Sequence, residues 1–181
     1  PKGKTSVMTF DPKGNLWIGD VFGHLSIVNV ESKTVKILEG EASHRQSVTS
    51  IVSMYPYVVT SGLDEVILVL DQDGNLVGQP IAVAYPIHDI VADPESTQYV
   101  YAATTNGVKR VDIEKIRIRT LNNIEVNQLL YFDNLYTFDN DGILKSMDNE
   151  VSIILTLREV YDVTYDPSCG MTAVAASTNT H

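Results

Sequence analysis

Residues 44–71 read HRQSVTSIVSMYPYVVTSGLDEVILVLD, and this stretch decides the fold. Three short runs at 47–54, 57–61 and 66–70 are rich in Val, Ile, Leu and Tyr. The breaks between them carry Pro, Gly or Asp, which are the residues that favour tight turns. β-Branched and aromatic runs bounded in this way are typical of strands. The stretch therefore predicts an antiparallel meander.

The same meander returns on both sides of this stretch. A fourth strand is predicted at 76–82, after the hairpin signal Asp73-Gly74. The turn before the third strand recurs at steps of 42, 42 and 35 residues, at Gly23, Glu65, Gly107 and Gly142. The predicted units cover about 5–42, 43–84, 85–122 and 123–157, followed by an incomplete unit at 158–181.

A repeat of this size with four strands per unit is the sequence signature of a β-propeller. A β-sandwich would also show short strands and turn signals, but it would not return the same turn chemistry at the same phase. No stretch resembles an amphipathic helix of useful length. We therefore predict an all-β chain that forms one β-propeller domain, or part of one, with about four and a half blades of four antiparallel strands.

Within the repeat, residues 44–71 resemble a WD40 unit. His44 stands where that family has a histidine before its first strand, Ser61-Gly62-Leu63-Asp64 matches its Ser-Gly-x-Asp, and Val69-Leu70-Asp71 replaces its closing x-Trp-Asp. The resemblance implies a hydrogen-bonded chain that pins the blade, formed by His44, by Ser61 or Thr60, and by Asp64. The other units depart from the pattern, so the chain is similar to a divergent WD40-like propeller.

The first unit resembles other propellers. FDPKGNLW at 10–17 is similar to the Asp-x-x-Gly-Asn-Leu-Trp stretch of NHL-like, gluconolactonase-like and sensor-type repeats. This second resemblance keeps two alternative functions open, a metal-dependent lactonase-type hydrolase and the sensor propeller of a signalling protein. The metal-holding positions of the hydrolases could not be matched in this sequence.

Composition argues against several classes of protein. The 181 residues carry a net charge of −10, with 13 basic and 23 acidic side chains, so we expect no nucleic-acid partner. Arg117 and Arg119 alternate with isoleucine, as on the wet face of a strand. No apolar run approaches the ~20 residues that span a bilayer, and the opening residues lack a signal peptide's apolar core. The single cysteine, Cys169, suits a reducing compartment, either cytoplasm or nucleus.

The polar residues do not form a catalytic signature. The four histidines lack paired metal spacing, and Cys169 has no partner cysteine. Asp11, Asp93 and Asp166 lie in turns, where an aspartate caps its own backbone. The run 139–142, Asp-Asn-Asp-Gly, resembles a fragment of a calcium loop, but its flanks are predicted strands, which favours a turn. We therefore expect no catalytic residue, no metal and no cofactor.

A propeller instead offers loops for recognition. In WD40-like blades the loop from the second to the third strand and the loop that leads to the next blade share one face. The candidate partner-binding residues on this face are Phe22, Arg45, Tyr85, Asn123 and Asn140. Packing between blades is an equal alternative for Phe22 and Tyr85. The sequence thus predicts a non-enzymatic protein-interaction scaffold.

Four and a half units leave the ring open, because each blade is buried only by its neighbours. Three explanations remain: the chain is a fragment of a larger protein, a second copy or another chain completes the ring, or the unit count is wrong. The first is expected, with a homodimer as an alternative.

Overall fold

A computed structural model describes residues 3–131, 134–139 and 143–147, and the backbone of strands at 152–154, 159–166 and 171–177. Strands and turns make up almost all of these residues, together with one turn of 3₁₀ helix at Gly40–Ala42. The described strands form four four-stranded antiparallel sheets and one two-stranded sheet. This confirms the predicted all-β architecture of four-stranded blades.

The strands of each blade lie side by side in chain order. Blade 1 contains β1 (Thr5–Phe10), β2 (Asn15–Asp20), β3 (Leu25–Asn29) and β4 (Thr34–Ile37). Blade 2 contains β5 (Val48–Met54), β6 (Tyr57–Gly62), β7 (Val66–Asp71) and β8 (Ile81–Ala82). Blade 3 contains β9 (Ile87–Ala92), β10 (Tyr99–Thr104), β11 (Gly107–Asp112) and β12 (Arg117–Thr120).

Blade 4 and the two-stranded sheet continue the order. Blade 4 contains β13 (Gln128–Tyr131), β14 (Leu135–Phe138), β15 (Ile143–Ser146) and β16 (Ser152–Ile154). The last sheet pairs β17 (Glu159–Asp166) with β18 (Met171–Ser177). The first strand of every sheet contacts the first strand of the next, from β1 through β5, β9 and β13 to β17. These first strands are therefore the inner strands of the propeller, and the fourth strands lie at its outer edge.

Apolar clusters between neighbouring blades form the core. Between blades 1 and 2, Trp17 and Leu25 pack against Val58 and Leu68. A second cluster lies between blades 2 and 3, and a third between blades 3 and 4. By contrast, the face of blade 1 that points away from blade 2 leaves Met8 63% exposed.

Strand β7 shows why the central strands of this chain are uninterrupted apolar runs. Its residues VILVL have no polar alternation, although strands that bury one face usually alternate. Leu68 and Leu70 face the cluster with blade 1, whereas Ile67 and Val69 face the cluster with blade 3. Both faces of the strand are therefore buried, and an uninterrupted apolar run is what such a strand requires.

One predicted strand is much shorter in the structure. The fourth strand of blade 2, predicted at 76–82, is confined to Ile81–Ala82, with one isolated bridge between Leu70 and Leu76. Gly78 has a φ of 77°, and Pro80 has no amide hydrogen to donate, so the ladder breaks between the two pieces. The fourth strand of blade 3 begins at Arg117, because Ile116 has a φ of 52° and belongs to the preceding turn.

Trp17 ties the blade 1 core to its first turn. The indole is fully buried, and its Nε1 donates a hydrogen bond of 3.0 Å to Asp11 Oδ2. Asp11 Oδ1 also accepts the amides of Lys13 and Asn15, and Asn15 Nδ2 donates to Oδ2. The stretch that resembles lactonase-type repeats thus uses its carboxylate to hold a turn and a core tryptophan.

We expect Trp17→Ala to lower the free energy of unfolding by about 3–5 kcal/mol, because it leaves a cavity and removes a buried donor. Urea denaturation followed by circular dichroism would measure the loss. Tyr55→Ala is the control, since Tyr55 is 65% exposed and its change should stay within about 0.5 kcal/mol. Equal losses in the two variants would contradict the packing described here.

Candidate functional site

The turns between second and third strands, and the connections between blades, meet at one end of the sheets. We call this end the loop face and define it by 20–24, 38–47, 63–65, 83–86, 105–106 and 121–127. The predicted contact residues Phe22, Arg45, Tyr85 and Asn123 belong to it, and all are at least partly exposed. Asn140 lies outside the described residues. So do 141 and 142, the last two residues of the run 139–142 that resembles a fragment of a calcium loop.

One turn type recurs in the described part of the chain; the sequence predicts it at Asp11, whereas this turn type was not predicted at Asp20 or Asp71. In this Asp-x-x-Gly-x turn, one aspartate oxygen accepts the amides two and four residues further on, at 2.8–2.9 Å. The turns begin at Asp11, Asp20 and Asp71, and their glycines have φ between 80° and 92°. The Asp-x-x-Gly spacing was visible in the sequence and would have identified them.

The turn at Asp20 presents Phe22 to solvent. Asp20 Oδ1 accepts the Phe22 and His24 amides, and Oδ2 lies 2.9 Å from His24 Nδ1 and accepts the Gly3 amide at 2.9 Å. Burial alone would raise the pKa of Asp20, but these hydrogen bonds lower it below its ordinary value. The Phe22 ring is held edge-on to His24 at 6.5 Å and remains 63% exposed. A rigid turn therefore holds an exposed aromatic ring.

A chain of hydrogen bonds between buried polar side chains lies beneath 38–47, the connection between blades 1 and 2. His44 Nδ1 lies 2.9 Å from Asp64 Oδ1, and His44 Nε2 lies 2.9 Å from Thr60 Oγ1. An ionised carboxylate only accepts, so Nδ1 carries the proton and Nε2 of the neutral ring accepts from the Thr60 hydroxyl. A Cβ atom at Gly62 would lie 2.7 Å from Asp64 Oδ1, so this arrangement of hydrogen bonds also requires glycine at position 62.

Thr60, and not Ser61, supplies the hydroxyl. Successive residues of a strand point to opposite faces, so only one of the two can reach His44. Ser61 Oγ instead lies 3.0 Å from Thr49 Oγ1 on the inner strand β5. Of the residues predicted to pin the blade, the structure therefore brings together His44, Thr60 and Asp64, and it places Ser61 in a separate contact.

Asp64 also fixes the backbone beside Arg45. Its Oδ2 accepts the Arg45 amide at 2.8 Å, while the Arg45 side chain is exposed. Burial would raise the pKa of Asp64, but the hydrogen bonds from the His44 ring and the Arg45 amide lower it. The polar chain thus anchors the point from which Arg45 projects.

Tyr85 has a packing partner as well as an exposed surface. The buried Lys109 Nζ lies 5.3 Å from the centre of the Tyr85 ring and donates to Asn106 O and Thr120 Oγ1 at 2.6 and 3.2 Å. Burial lowers the pKa of Lys109. Tyr85 remains 38% exposed, so the ring shields a lysine on one side and meets solvent on the other.

Ile124 is an exposed residue that the sequence reading overlooked. It follows Asn123 in the connection between blades 3 and 4 and is 59% exposed. The available signal was an apolar residue between the polar Asn123 and Glu125, at the boundary between the predicted units 85–122 and 123–157. Phe22 and Ile124 are the two most exposed large apolar side chains of the loop face, ahead of Val21 and Tyr85.

Neither a metal cluster nor a membrane span appears in the described part of the chain. Among those residues, no three His, Cys, Asp or Glu side chains gather closely enough to hold a metal ion. No helix there combines the length and the apolar character needed to cross a bilayer.

Comparison with known proteins matches the fold alone. No protein-family model and no curated protein matches the chain. The crystal structure of the Cps50 (Swd1) β-propeller domain from Myceliophteria thermophila superposes with a TM-score of 0.81 at 20% sequence identity. The match covers 96% of this chain and 62% of that domain, so the chain spans less than two thirds of the propeller it resembles. The chain therefore has a WD40-like β-propeller fold.

We expect a double-mutant cycle to show that the hydroxyl of Thr60, and not that of Ser61, is coupled to His44. Thr60→Val should cost about 1–2 kcal/mol, and its combination with His44→Ala should be non-additive by at least about 0.5 kcal/mol, because both changes break one chain. The matched control is Ser61→Ala, which should add to His44→Ala within about 0.5 kcal/mol. Urea denaturation of the single and double variants gives these values, and coupling to Ser61 alone would contradict the contact.

The lowered pKa of Asp64 predicts the pH dependence of its contribution. The pKa of Asp64 in the folded protein lies below the ordinary 3.8, so the ionised carboxylate stabilises the fold at pH values above 3.8. This contribution disappears as the pH falls through the folded pKa. The stability deficit of Asp64→Asn relative to the wild type should therefore be greatest near pH 6 and should shrink towards about pH 2. Urea denaturation across this range tests it, and a deficit independent of pH would refute it.

Proposed function

We propose that this chain is the propeller of a non-enzymatic protein-interaction scaffold and that it belongs to a larger protein or complex. The carrying observation is the loop face, where rigid polar contacts hold exposed side chains in place. Phe22 stands on the Asp20 turn, and Arg45 follows the chain of His44 and Asp64. Aromatic and arginine side chains that are already ordered lose little entropy on binding, and they dominate many interfaces.

The carboxylates at the opposite end support the same proposal. Asp11 and Asp71 direct their oxygens to their own turns, and Asp93 accepts from Glu95 N and Tyr101 Oη. These acids are engaged in turn and core contacts, which leaves the hydrolase alternative without a described cluster of acids. A sensor propeller would present the same face, and no observation in the structure favours it over a scaffold. The single cysteine supports an intracellular setting, in cytoplasm or nucleus.

The test is a selection of random peptides displayed on phage against the purified protein. We expect the enriched peptides to bind the loop face, so the triple variant Phe22→Ala, Arg45→Ala, Ile124→Ala should weaken them at least about tenfold. Tyr85 is kept because its ring covers Lys109, and its loss would disturb the fold as well as the surface.

The matched control is the pair Val30→Ala and Tyr55→Ala. Both residues are more than half exposed and lie in turns at the opposite end of the sheets. Circular dichroism should show that both variants keep the fold. If the enriched peptides bind the triple variant normally but no longer bind the protein with both control substitutions, the proposed face is wrong.

A further inference from the structure

The outer edge of blade 3 is the strand β12, and all four of its residues are exposed. It is the last strand of its sheet, and among the described strands it pairs with β11 alone. Its first three residues, Arg117, Ile118 and Arg119, alternate between basic and apolar side chains. Successive residues of a strand point to opposite faces of the sheet. The edge of blade 3 therefore has a basic side and an apolar side.

The basic side faces blade 4. Arg119 lies directly opposite Arg110, which lies opposite Tyr101 on β10. Tyr101 packs against the cluster between blades 3 and 4, so Arg119 and Arg117 point to that side of the sheet. Arg110 Nη2 lies 3.7 Å from Asp93 Oδ2, whereas the ion pairs of the described residues include neither Arg117 nor Arg119. Like charges directly opposite each other are unfavourable, so this side of the edge lacks a negative partner.

Asp112 does not supply that partner, although it lies opposite Arg117. Its Oδ1 accepts the amides of Glu114 and Lys115 at 3.2 and 2.9 Å, and its Oδ2 accepts from Gln98 Nε2 at 2.9 Å. These hydrogen bonds direct the carboxylate to the turn before β12 and to β10. The exposed guanidinium of Arg117 is therefore open to a carboxylate from another molecule.

The apolar side faces blade 2 and adjoins a pocket. Ile118 lies opposite Val111, which belongs to the cluster between blades 2 and 3. The pocket has a volume of about 280 Å³, and its lining includes Val77, Gly78 and Ile116. It lies where the ladder of β8 is interrupted, so blade 2 has no complete outer strand at this point. Val77, Ile116 and Ile118 are each between 37% and 51% exposed. Apolar surface is therefore available next to the edge of blade 3.

The backbone of β12 directs hydrogen-bonding groups outward. The Leu121 amide donates to Val108 O at 2.8 Å, so these two residues form a hydrogen-bonded pair of the antiparallel ladder between β11 and β12. Such pairs alternate with pairs whose N–H and C=O groups point away from each other. The N–H and C=O groups of Ile118 and Thr120 therefore point away from β11. An edge of this kind is a template for pairing with an additional strand.

We propose that β12 binds an extended segment of a partner protein, in which acidic and apolar residues alternate, as a fifth strand of blade 3. Residues directly opposite each other in an antiparallel pair lie on the same face. An apolar residue opposite Ile118 then packs beside the pocket, and the acids on either side of it lie opposite Arg117 and Arg119. This surface is separate from the exposed side chains of the loop face, and it extends the proposed scaffold function.

The charges of β12 also select against a second copy of this chain as the occupant. Antiparallel pairing of two β12 strands about Ile118 would place Arg117 of each copy opposite Arg119 of the other. Like charges directly opposite each other are unfavourable, and charged side chains on an edge strand are a common protection against such pairing. An acidic strand meets attraction at the same two positions. The edge therefore favours a partner of opposite charge.

The experiment uses the alternating peptide acetyl-Gly-Thr-Glu-Val-Glu-Thr-Gly-amide and two controls. The rearranged peptide, acetyl-Gly-Glu-Thr-Val-Thr-Glu-Gly-amide, has the same composition but places both acids on the valine's own face. The third peptide is the alternating one with N-methylvaline, which cannot donate its amide to Ile118 O. Binding to the intact ¹⁵N-labelled chain is followed by the amide resonances of Ile118 and Thr120. We expect the alternating peptide to bind at least about tenfold more tightly than either control.

Each other result overturns the proposal. Equal binding by the rearranged peptide would mean attraction by charge alone. Equal binding by the N-methylated peptide would mean that no strand is added. If none of the three peptides binds, the charges of β12 only protect an edge strand.

Two charge-matched double variants locate the site. Arg117→Gln with Arg119→Gln should weaken the alternating peptide at least about tenfold, and the fold should persist because both side chains are exposed. Lys4→Gln with Lys13→Gln also removes two positive charges, from exposed positions at blade 1, and should change binding less than about twofold. Equal effects in the two double variants would overturn the site.

The same variants show which of the two proposals fails. The triple variant Phe22→Ala, Arg45→Ala, Ile124→Ala should bind the alternating peptide normally, because none of these residues lies on β12. If displayed peptides depend on the loop face and the alternating peptide does not bind, only the assignment of β12 fails. If the alternating peptide binds through Arg117 and Arg119 and no displayed peptide depends on the loop face, only the loop-face proposal fails.

Discussion

The burial of both faces of a blade is the constraint on which the rest of this structure depends. A four-stranded sheet is stable in water only if its apolar faces are covered, and here each blade covers the next. Val58 and Val59 are neighbours on β6, and they pack into the clusters on opposite sides of blade 2. A change at either position therefore acts on a different pair of blades. The strands have little freedom to vary, and variation is left to the turns.

Polar contacts reinforce this arrangement where the apolar clusters end. Ser6, Ser50 and Asp89 each link one inner strand to the backbone of the next inner strand. The links are not identical, because two are serine hydroxyls that donate and the third is a carboxylate that accepts. They all satisfy backbone groups of residues whose side chains belong to the apolar clusters, namely Val48, Ile90 and Leu129. The inner strands can therefore be polar without loosening the packing of the blades.

The repeat, the strand content and most strand positions could be predicted from the sequence, because short apolar runs and their turn residues are local signals. The fourth strand of blade 2 was predicted too long, since the pattern at 76–82 is apolar enough for a strand but Gly78 and Pro80 interrupt its ladder. The partnership of His44 with Thr60 was not decidable between two adjacent hydroxyls, because it depends on which face of β6 each residue occupies. The bulges of the inner strands at Ser6, Thr49 and His88 were beyond prediction, since bulges depend on register and not on composition.

The turns at Asp11 and Asp20 use the same chemistry for different purposes. At one end Asp11 places its carboxylate against Trp17, so the turn is tied to the core and its polar groups are engaged. At the loop face Asp20 has no such core partner and holds its own turn, with His24 and the Gly3 amide. Its carboxylate is buried while Phe22 is exposed. A turn that supports itself frees its central side chain from packing, which is the condition a recognition residue needs. At position 22 the side chain can therefore change while the packing of the blades stays intact.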